Sequence, residues 1–551
     1  MLKNRGITDT KRFLNPTKND LNHYSKLKNI DKAVKLFDKH IKKGSEIAVL
    51  VDSDPDGYTS SAQIINYTKE LNLNIKISYF LHDDKKHGLT EKAMKWVLET
   101  RPRLLIIPDA SSDEEPKHKI LSEQGIDILI LDHHNAEKYS DYAVMVNNQL
   151  DDYPNKQLSG AGITLKFLEA VDDYYNINNS SKYYDLAAFG ITADSMLLSV
   201  PENRYIVQQG GKNINNPFLK ELVARNASDK SRIHPKSIAF EIVPKWNAMI
   251  RVGTMQGKLD IFRALIGEEE EYFNNRTKKT ETLPFKAARQ CTNIHKKQKD
   301  MRTSWLDILH KQVEEYELYK NSFITIILDE FDKSLSGLLA GELAKAYKRP
   351  AMILTKNERG AYSGSVRGYD LFMEDTRSFL DSLGVFNYAK GHDQAFGIEI
   401  DEENLGIMNK TINEACVTQN FTLTSGEIDV DFITTPKAIN LSLAKQLDSY
   451  THIWGKGVEE PLFAVEKLRI SARTTMRKPS GYTKWTYNGI DYVIFTGDSE
   501  LNTYLDKYPN SDLILNVIGS LGMNTFLGKE TPQFAIKELE VEEVKNSSFG
   551  F

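Results

Sequence analysis

VLVDSDPDGYTSSA, residues 49–62, decides how the chain is read. Ile47 to Val51 is an unbroken apolar, partly β-branched run, the pattern of a strand buried on both faces of a parallel sheet. Asp52, Asp54 and Asp56 follow, alternating with Ser53 and Pro55 and closed by Gly57. Where a strand runs into a loop, alternate side chains point the same way, so this spacing aims carboxylates at a common point beyond the carboxyl end of the strand. Three carboxylates that close cannot all stay ionised in a dry site without a positive partner. A solvated Asp-rich turn, a calcium loop and a transition-metal or magnesium site are the available readings. The calcium loop is weakened by Gln63 at the twelfth position, where an EF-hand needs Glu. Pro55 and Gly57 predict a tight turn, and Thr59, Ser60 and Ser61 a cap for a helix over residues 62–71.

Outward from this run, strands and helices alternate. Ala33, Val34, Leu36, Phe37 and Ile41 repeat at a helical period over residues 30–41. Strands are predicted over 75–80, over 103–108, which delivers Asp109, and over 126–131, which delivers Asp132, His133 and His134. A lone histidine is usually structural, but two adjacent ones after two acidic strand ends point to a site. Residues 185–194, DLAAFGITAD, read as an apolar helix ending in Asp194, by itself as suited to a cap as to a ligand. The sum is an α/β sheet with Asp52, Asp54, Asp56, Asp109, His133, His134 and Asp194 along one edge. Neutral imidazole with carboxylates suits Mn²⁺, Zn²⁺ or Fe²⁺, and manganese or magnesium as oxygen ligands increase. Two such ions about 3.5–4 Å apart, sharing a carboxylate, would serve phosphoester hydrolysis.

At 551 residues the chain predicts about three or four domains. Hydrophobic content of 40% and charged content of 27% describe a soluble globular protein, with no apolar run long enough for a membrane span. The amino terminus lacks an apolar signal core, so a cytoplasmic protein is expected. Cys291 and Cys416 make neither a disulfide framework nor a zinc cluster. A net charge of −5 neither advertises nor excludes nucleic-acid binding, since local basic strips decide that.

The D-x-D-x-DG run, Asp109, the DHH triplet and the GITAD segment resemble the motifs of the DHH phosphoesterase superfamily, and more specifically of the RecJ family of bacterial single-strand-specific exonucleases. RGI at residues 5–7, FLNP at 13–16, LSGAGITLKFL at 158–168 and PENR at 201–204 extend the likeness over nearly the whole chain. The resemblance implies that Asp54, Asp56, Asp109, His133 and Asp194 hold two divalent ions, Mn²⁺ or Mg²⁺, with Asp109 as the bridge and Asp52 as a further ligand or a supporting group. It implies that His134 faces the scissile phosphate and that Asp132 orients a histidine. Ser111 stands where the family usually has a glycine. FEIVPKWNAMIR, residues 240–251, resembles the stretch whose asparagine and arginine, here Asn247 and Arg251, bind substrate phosphate, with Ile250 in place of a loop glycine.

Residues 284–320 hold no internal proline or glycine and read as a long connecting helix, with a basic strip HKKQKDMR at 295–302. A second α/β unit follows, with strands over 323–328 and 350–354 and a helix over 338–347. Ser336, Gly337, Ser365, Arg367, Gly391 and His392 resemble the nucleotide-binding set of the family's DHHA1 domain, with Lys390 in place of the first of two glycines. WGKGVEEPLF at 454–463 resembles the family's entry into an OB-fold, where Trp485, Tyr487, Arg473 and Lys478 are candidates for base stacking and a basic groove.

The expected fold is therefore α/β: a cap over 1–45, a DHH parallel-sheet domain over 46–270, a connecting helix over 271–320, a DHHA1 domain over 321–425 and an OB-like β-barrel domain over 426–551. The expected function is a monomeric, metal-dependent 5′ to 3′ exonuclease on single-stranded DNA, threading one strand between its α/β units and releasing 5′-mononucleotides in recombination, repair or replication. A helicase or single-strand-binding protein is the expected partner. A phosphodiesterase for short or cyclic dinucleotides and a non-catalytic replication scaffold are the rivals.

Overall fold

Ile47–Val51 is a strand (β1) buried along its whole length. Beside it lie Ile77–Leu81 (β2), Leu104–Pro108 (β3), Asp127–Asp132 (β4) and Val144–Asn147 (β5), in the order β2-β1-β3-β4-β5 and all parallel. In this order the chain reverses its direction of travel across the sheet between β1 and β3, and ligands of open parallel sheets bind beyond the carboxyl ends of the strands at such a point. The structure of the protein, a computed structural model, describes residues 1–71, 74–83, 86–150, 152–231, 233–329, 331, 333–369, 372–421, 428–477, 482–495, 499–526 and 529–545. It comprises two units, Met1–His295 with Val430–Phe551, and Lys296–Asp429.

Helices Thr10–Leu14 (α1) and Ile30–Lys43 (α2) precede β1. α2 buries Ala33, Val34, Phe37 and Ile41 and stops at Gly44, whose φ of 60° permits the left-handed cap. The helix after β1, Pro55–Leu71 (α3), begins seven residues earlier than its pattern predicts. Pro55 opens it, the Asp54 carboxylate caps it by accepting from the Gly57 N–H at 3.0 Å, and the expected tight turn is its first turn. Thr59 and Ser60 are not caps: their hydroxyls donate to carbonyls three or four residues back inside the helix. Glu91–Thr100 (α4), Glu115–Glu123 (α5), Gly160–Tyr175 (α6) and Tyr184–Ala193 (α7) follow, with Asp194 as the terminal cap of α7.

Pro201–Lys212 (α8) carries the buried polar residues of the PENR motif. The Arg204 guanidinium lies over the Phe13 ring, 3.2 Å from its centroid, and donates to the Phe13 and Leu198 carbonyls, which pins the FLNP segment. Residues 1–16 are thus tied to the rest of the first unit. Arg5 reaches Asp431 in a two-pronged ion pair, and Phe13 shares an apolar cluster with Ile453, Trp454 and Val458. Glu202 accepts from the Asn22 backbone and side chain, Tyr153 and Asn155, and lies 3.2 Å from the fully buried Lys166 ammonium. Removing one member of such a set leaves a buried charge short of its partner. Glu202→Ala is therefore expected to destabilise this unit by about 3 kcal/mol or more, read as a lower midpoint in urea unfolding.

After α8 come Pro217–Asn226 (α9), a π-helical turn Ser237–Ile242, Val243–Val252 (α10), Met255–Leu265 (α11) and a hairpin of Glu271–Asn274 (β6) with Lys279–Thr282 (β7). Ile250, read as part of a loop, is a core residue of α10 at 2% exposure. The long helix is Leu283–Glu315 (α12). Leu283, Ala287 and Cys291 belong to the core of the first unit, Leu309 and Val313 to that of the second.

The second unit has strands Ile324–Ile327 (β8), Ala351–Lys356 (β9), Tyr362–Arg367 (β10), Tyr388–His392 (β11) and Ala395–Ile400 (β12), in the order β11-β12-β10-β9-β8, with helix Ser336–Tyr347 (α13) against β9 and β10. The C-terminal part of the first unit is a seven-stranded sheet of Phe432–Thr434 (β13), Phe463–Ser471 (β14), Met476–Arg477 (β15), Thr483–Tyr487 (β16), Ile490–Ile494 (β17), Asp512–Phe526 (β18) and Lys529–Lys545 (β19), ordered β13-β14-β18-β19-β17-β16-β15. Trp485 is a core residue there, 3% exposed and stacked with Tyr492, so it offers no face to a base. Tyr487 packs against the same core, Arg473 is engaged by Asn510, and Lys478 lies outside the described residues. Among the described residues, no helix is long and apolar enough to cross a membrane.

Candidate metal centre

The carboxyl ends of β1, β3 and β4 bring together the acidic and histidine residues their sequences promised. The buried His133 Nε2 lies 3.1 Å from Asp109 Oδ1, 3.4 Å from Asp194 Oδ2 and 4.0 Å from Asp56 Oδ2. Asp52 and Asp54 offer oxygens to a second group with Asp109. Asp109 groups both with Asp52 and Asp54 and with Asp132, His133 and His134, while His133 also groups with Asp56 and Asp194.

Each of these side chains is held by a different local device. Asp56 sits in the first turn of α3, and its carboxylate accepts from the Ser159 hydroxyl at 2.9 Å and from the Gly160 and Ala161 N–H groups at 2.7 and 3.1 Å. The amino terminus of α6, capped by Ser159, thus fixes this charge where the helix dipole favours it. A Cβ on Gly160 would come 2.5 Å from the Asp109 side chain, and one on Gly190 would come 2.3 Å from Asp56 Oδ1. Those two glycines let α6 and α7 approach the carboxylates.

Asp109 has a φ of 64° and Ser111 one of 74°, both in the left-handed region. The Ser111 hydroxyl donates to Glu114, which also accepts from the Leu89 N–H and pairs with Lys117. Ser111→Gly would relieve strain of about 1–2 kcal/mol and lose one hydrogen bond of similar worth. Its thermal midpoint is expected to stay within a few degrees of the parent.

Asp132 is fully engaged. One oxygen accepts from the His133 and His134 N–H groups and from His134 Nδ1 at 2.8 Å, the other from the Ser112 N–H and hydroxyl. Burial pushes its carboxyl up, but the hydrogen bond and charge of His134, with His133 and Ser112, prevail and hold it below the usual range. The Asp132 bond in turn raises His134 to about 9, and leaves its Nε2 on an exposed side chain. Burial lowers His133 to about 4, so its imidazole is neutral and can ligate.

Burial, then the charge of Asp54, raises Asp56 to about 7; burial, then Asp56, raises Asp194 to about 8. Asp109 is raised well above the ordinary range by burial and then by Asp56, and Asp54 is raised by burial and then by Asp52. Asp109 Oδ1, His133 Nε2 and Asp194 Oδ2 are all buried without a hydrogen-bond partner. Ligands at about 2.1 Å around an octahedral ion stand roughly 3 Å apart, and the separations from His133 Nε2 to Asp109 and Asp194 match that. These residues fit a divalent cation.

His87 was not foreseen. Its Nδ1 is 2.5 Å from Asp52 Oδ2, and the Gly88 N–H donates to Asp52 Oδ1 at 3.1 Å, so both oxygens of Asp52 already have protein donors. Ser112, Asn147 and Ser159 also went unread. Asn147 donates to the Ser112 hydroxyl and the His134 carbonyl, locking the DHH turn.

Of the expected phosphate-binding residues, Asn247 and Arg251 lie one turn apart on α10, the Arg251 Nε donating to Asn247 Oδ1 at 3.0 Å. In the second unit the Ser336 and Ser365 hydroxyls are 2.8 Å apart, and a Cβ on Gly337 would come 2.5 Å from the Arg367 guanidinium. These four residues form one cluster at the start of α13. Gly391 and His392 are exposed on β11, with β12 between them and β10, roughly 10 Å across the sheet.

Residues 46–191 match the family described as DHH family, N-terminal domain, and residues 430–538 match the RecJ OB domain. The chain is 36% identical, over 100% of its length and 97% of the other protein, to a Bacillus subtilis (strain 168) protein named as an SPbeta prophage-derived single-strand DNA-specific exonuclease. It is 23% identical to the single-stranded-DNA-specific exonuclease RecJ of Bacillus subtilis (strain 168), over 96% of this chain and 66% of that protein. Among solved structures, RecJ from Thermus thermophilus in complex with Mn²⁺ is similar with a TM-score of 0.75 at 20% identity, covering 100% of this chain and 76% of that one. At that identity the likeness speaks for the fold.

Proposed function

The chain belongs to the RecJ-like family of DHH exonucleases, and from that premise we propose that it hydrolyses single-stranded DNA at the Asp–His cluster beyond β1, β3 and β4. The observation that carries this reading is the convergence of three buried, unpartnered ligand atoms, from Asp109, His133 and Asp194.

In this reading Asp54, Asp56, Asp109, His133 and Asp194 would hold two Mn²⁺ or Mg²⁺ ions. Bound there, such ions would supply an activated water and charge neutralisation at phosphorus. The chain's own residues do the rest. The amino terminus of α6 keeps Asp56 in place, and Asp132 keeps His134 oriented with Nε2 outward, where it donates to a phosphate oxygen. Asp52, engaged by His87 and Gly88, acts as a support for the site more than as a ligand. Asn247 and Arg251, and in the second unit Ser336, Gly337, Ser365 and Arg367, bind nucleotide phosphate, with Gly391 and His392 as further contacts.

The direction is 5′ to 3′ with release of 5′-mononucleotides. The boundaries 46–270, 321–425 and 426–551 for DHH, DHHA1 and OB-like domains belong to the same proposal. A helicase or single-strand-binding protein would present the strand, because a duplex offers no free end in single-stranded form. A cytoplasmic location agrees with two buried free cysteines. The test is a single strand labelled at either end, incubated with Mn²⁺ or Mg²⁺. Early release of the 5′ label as mononucleotide is expected; early release of the 3′ label would reverse the assigned direction, and cleavage of dinucleotides alone would move the protein to the small-substrate class.

A further inference from the structure

The Asp–His cluster is open to solvent at Asp194. The Asp194 side chain is 30% exposed, against 1% for Asp56 and Asp109. Its neighbours Thr192 and Ser195 line a cavity of about 330 Å³ whose opposite wall is built by the C-terminal domain, including Lys456 and Lys537. That size falls at the lower end of the range for small-ligand sites, about 300–1,000 Å³. The wall is firmly seated. The Leu198 N–H donates to the Lys456 carbonyl at 2.8 Å, and a Cβ on Gly455 would come 2.5 Å from Leu198.

Phe240 also lines this cavity, yet its side chain is mostly in water, the residue being 71% exposed. It sits in the π-helical turn Ser237–Ile242, where Ile238 and Ile242 are fully buried. Turns of this type are rare and concentrate at functional sites. The wider turn lets Ile238 and Ile242 keep their core positions while Phe240 faces outward. Phe240 also lines a second cavity, where Asn524 and Gln533 stand with the acids Asp229, Glu241, Asp448 and Glu530. The acids in the first cavity are already engaged: Glu460 pairs with Lys236 at 2.7 Å, and Glu459 accepts from the Gly457 N–H. Lys456 and Lys537 add positive charge to the same lining.

We propose that this cavity is a base-binding subsite for the strand still attached to the nucleotide being cut, with a base stacked on the Phe240 ring and its phosphates facing Lys456 and Lys537. A phenyl face accepts any base, so the contact is indifferent to sequence. The inference rests on the nuclease reading and adds to it a residue that holds the strand in register.

Phe240→Ala is expected to raise KM for a single strand of about 20 nucleotides roughly ten-fold, the size of one base–aromatic stack, with a smaller change in kcat, and Phe240→Trp to restore it. In a cleavage-deficient Asp109→Asn background, 2-aminopurine placed at successive positions from the strand end should be quenched at one position, and Phe240→Ala should abolish that quenching. A wild-type KM in Phe240→Ala, or quenching that survives the substitution, would overturn the subsite. A wild-type chain that quenches through Phe240 but cuts no strand would instead sink the nuclease reading and leave the subsite standing.

Discussion

Asp109→Asn is expected to lower single-strand cleavage by on the order of 10³-fold or more while raising the thermal midpoint of the metal-free protein by a few degrees. Asp109 groups with Asp52 and Asp54 and lies 3.1 Å from His133 Nε2, so in the proposed reading its loss would take away a ligand oxygen where the two sets of residues meet. Its pKa is pushed well up by burial and by Asp56, Asp54, Asp52 and Asp194. A folded-state pKa above the unfolded one means that the unfolded chain releases its proton more readily, so stability falls as pH rises from the ordinary carboxylate range toward the folded value. Asparagine has the same shape and no such penalty. In chelator, the stabilisation should therefore grow as pH rises from about 4 through the neutral range. Unfolding midpoints across that window check it, and a variant no more stable than the parent at the upper end would show that the carboxylates do not strain the fold.

Gly190→Ala is expected to cost about 10²-fold in cleavage and to destabilise the domain by about 1–3 kcal/mol. The added methyl would lie 2.3 Å from Asp56 Oδ1, 2.5 Å from Ala161 Cβ and 2.6 Å from Thr59 Oγ1. α7 crosses α3 and α6 at this point, so none of the three neighbours is a flexible tip. Relief requires α7 to retreat, and Asp194 rides on its end. The expected signature is a weakened Mn²⁺ affinity along with the lost rate. Unchanged affinity and rate would mean that the helix crossing tolerates a methyl and does not set the ligand geometry.

The parallel sheet was legible because its strands, buried on both faces, are continuous apolar runs, and because each one that matters runs into a residue of the Asp–His cluster: Asp52, Asp109 or Asp132 with His133. The start of α3 was misread because Asp-x-Asp with Pro and Gly is equally a turn signal. Only packing shows why Gly57 is small, a Cβ there falling 2.6 Å from that of Asp52. Trp485 looked like a stacking platform by residue type, and burial against Tyr492 decides otherwise. Ile250 departs from the family's loop pattern and fills the core of a helix instead. The supports of the site were invisible for a different reason. His87 reaches back 35 residues to Asp52, Ser159 reaches 103 residues to Asp56, and Arg5 spans 426 residues to Asp431. Such contacts leave no local periodicity to read.

The most direct test is the Mn²⁺ dependence of mononucleotide release from a uniformly labelled single strand, with bound Mn²⁺ counted in the same samples by electron paramagnetic resonance. The account predicts no release in chelator, onset as the two sites fill, restoration when Mn²⁺ is returned, and neither full occupancy nor release in Asp109→Asn. Undiminished cleavage in chelator, or full Mn²⁺ occupancy of the cluster with no cleavage of any single strand, would contradict it.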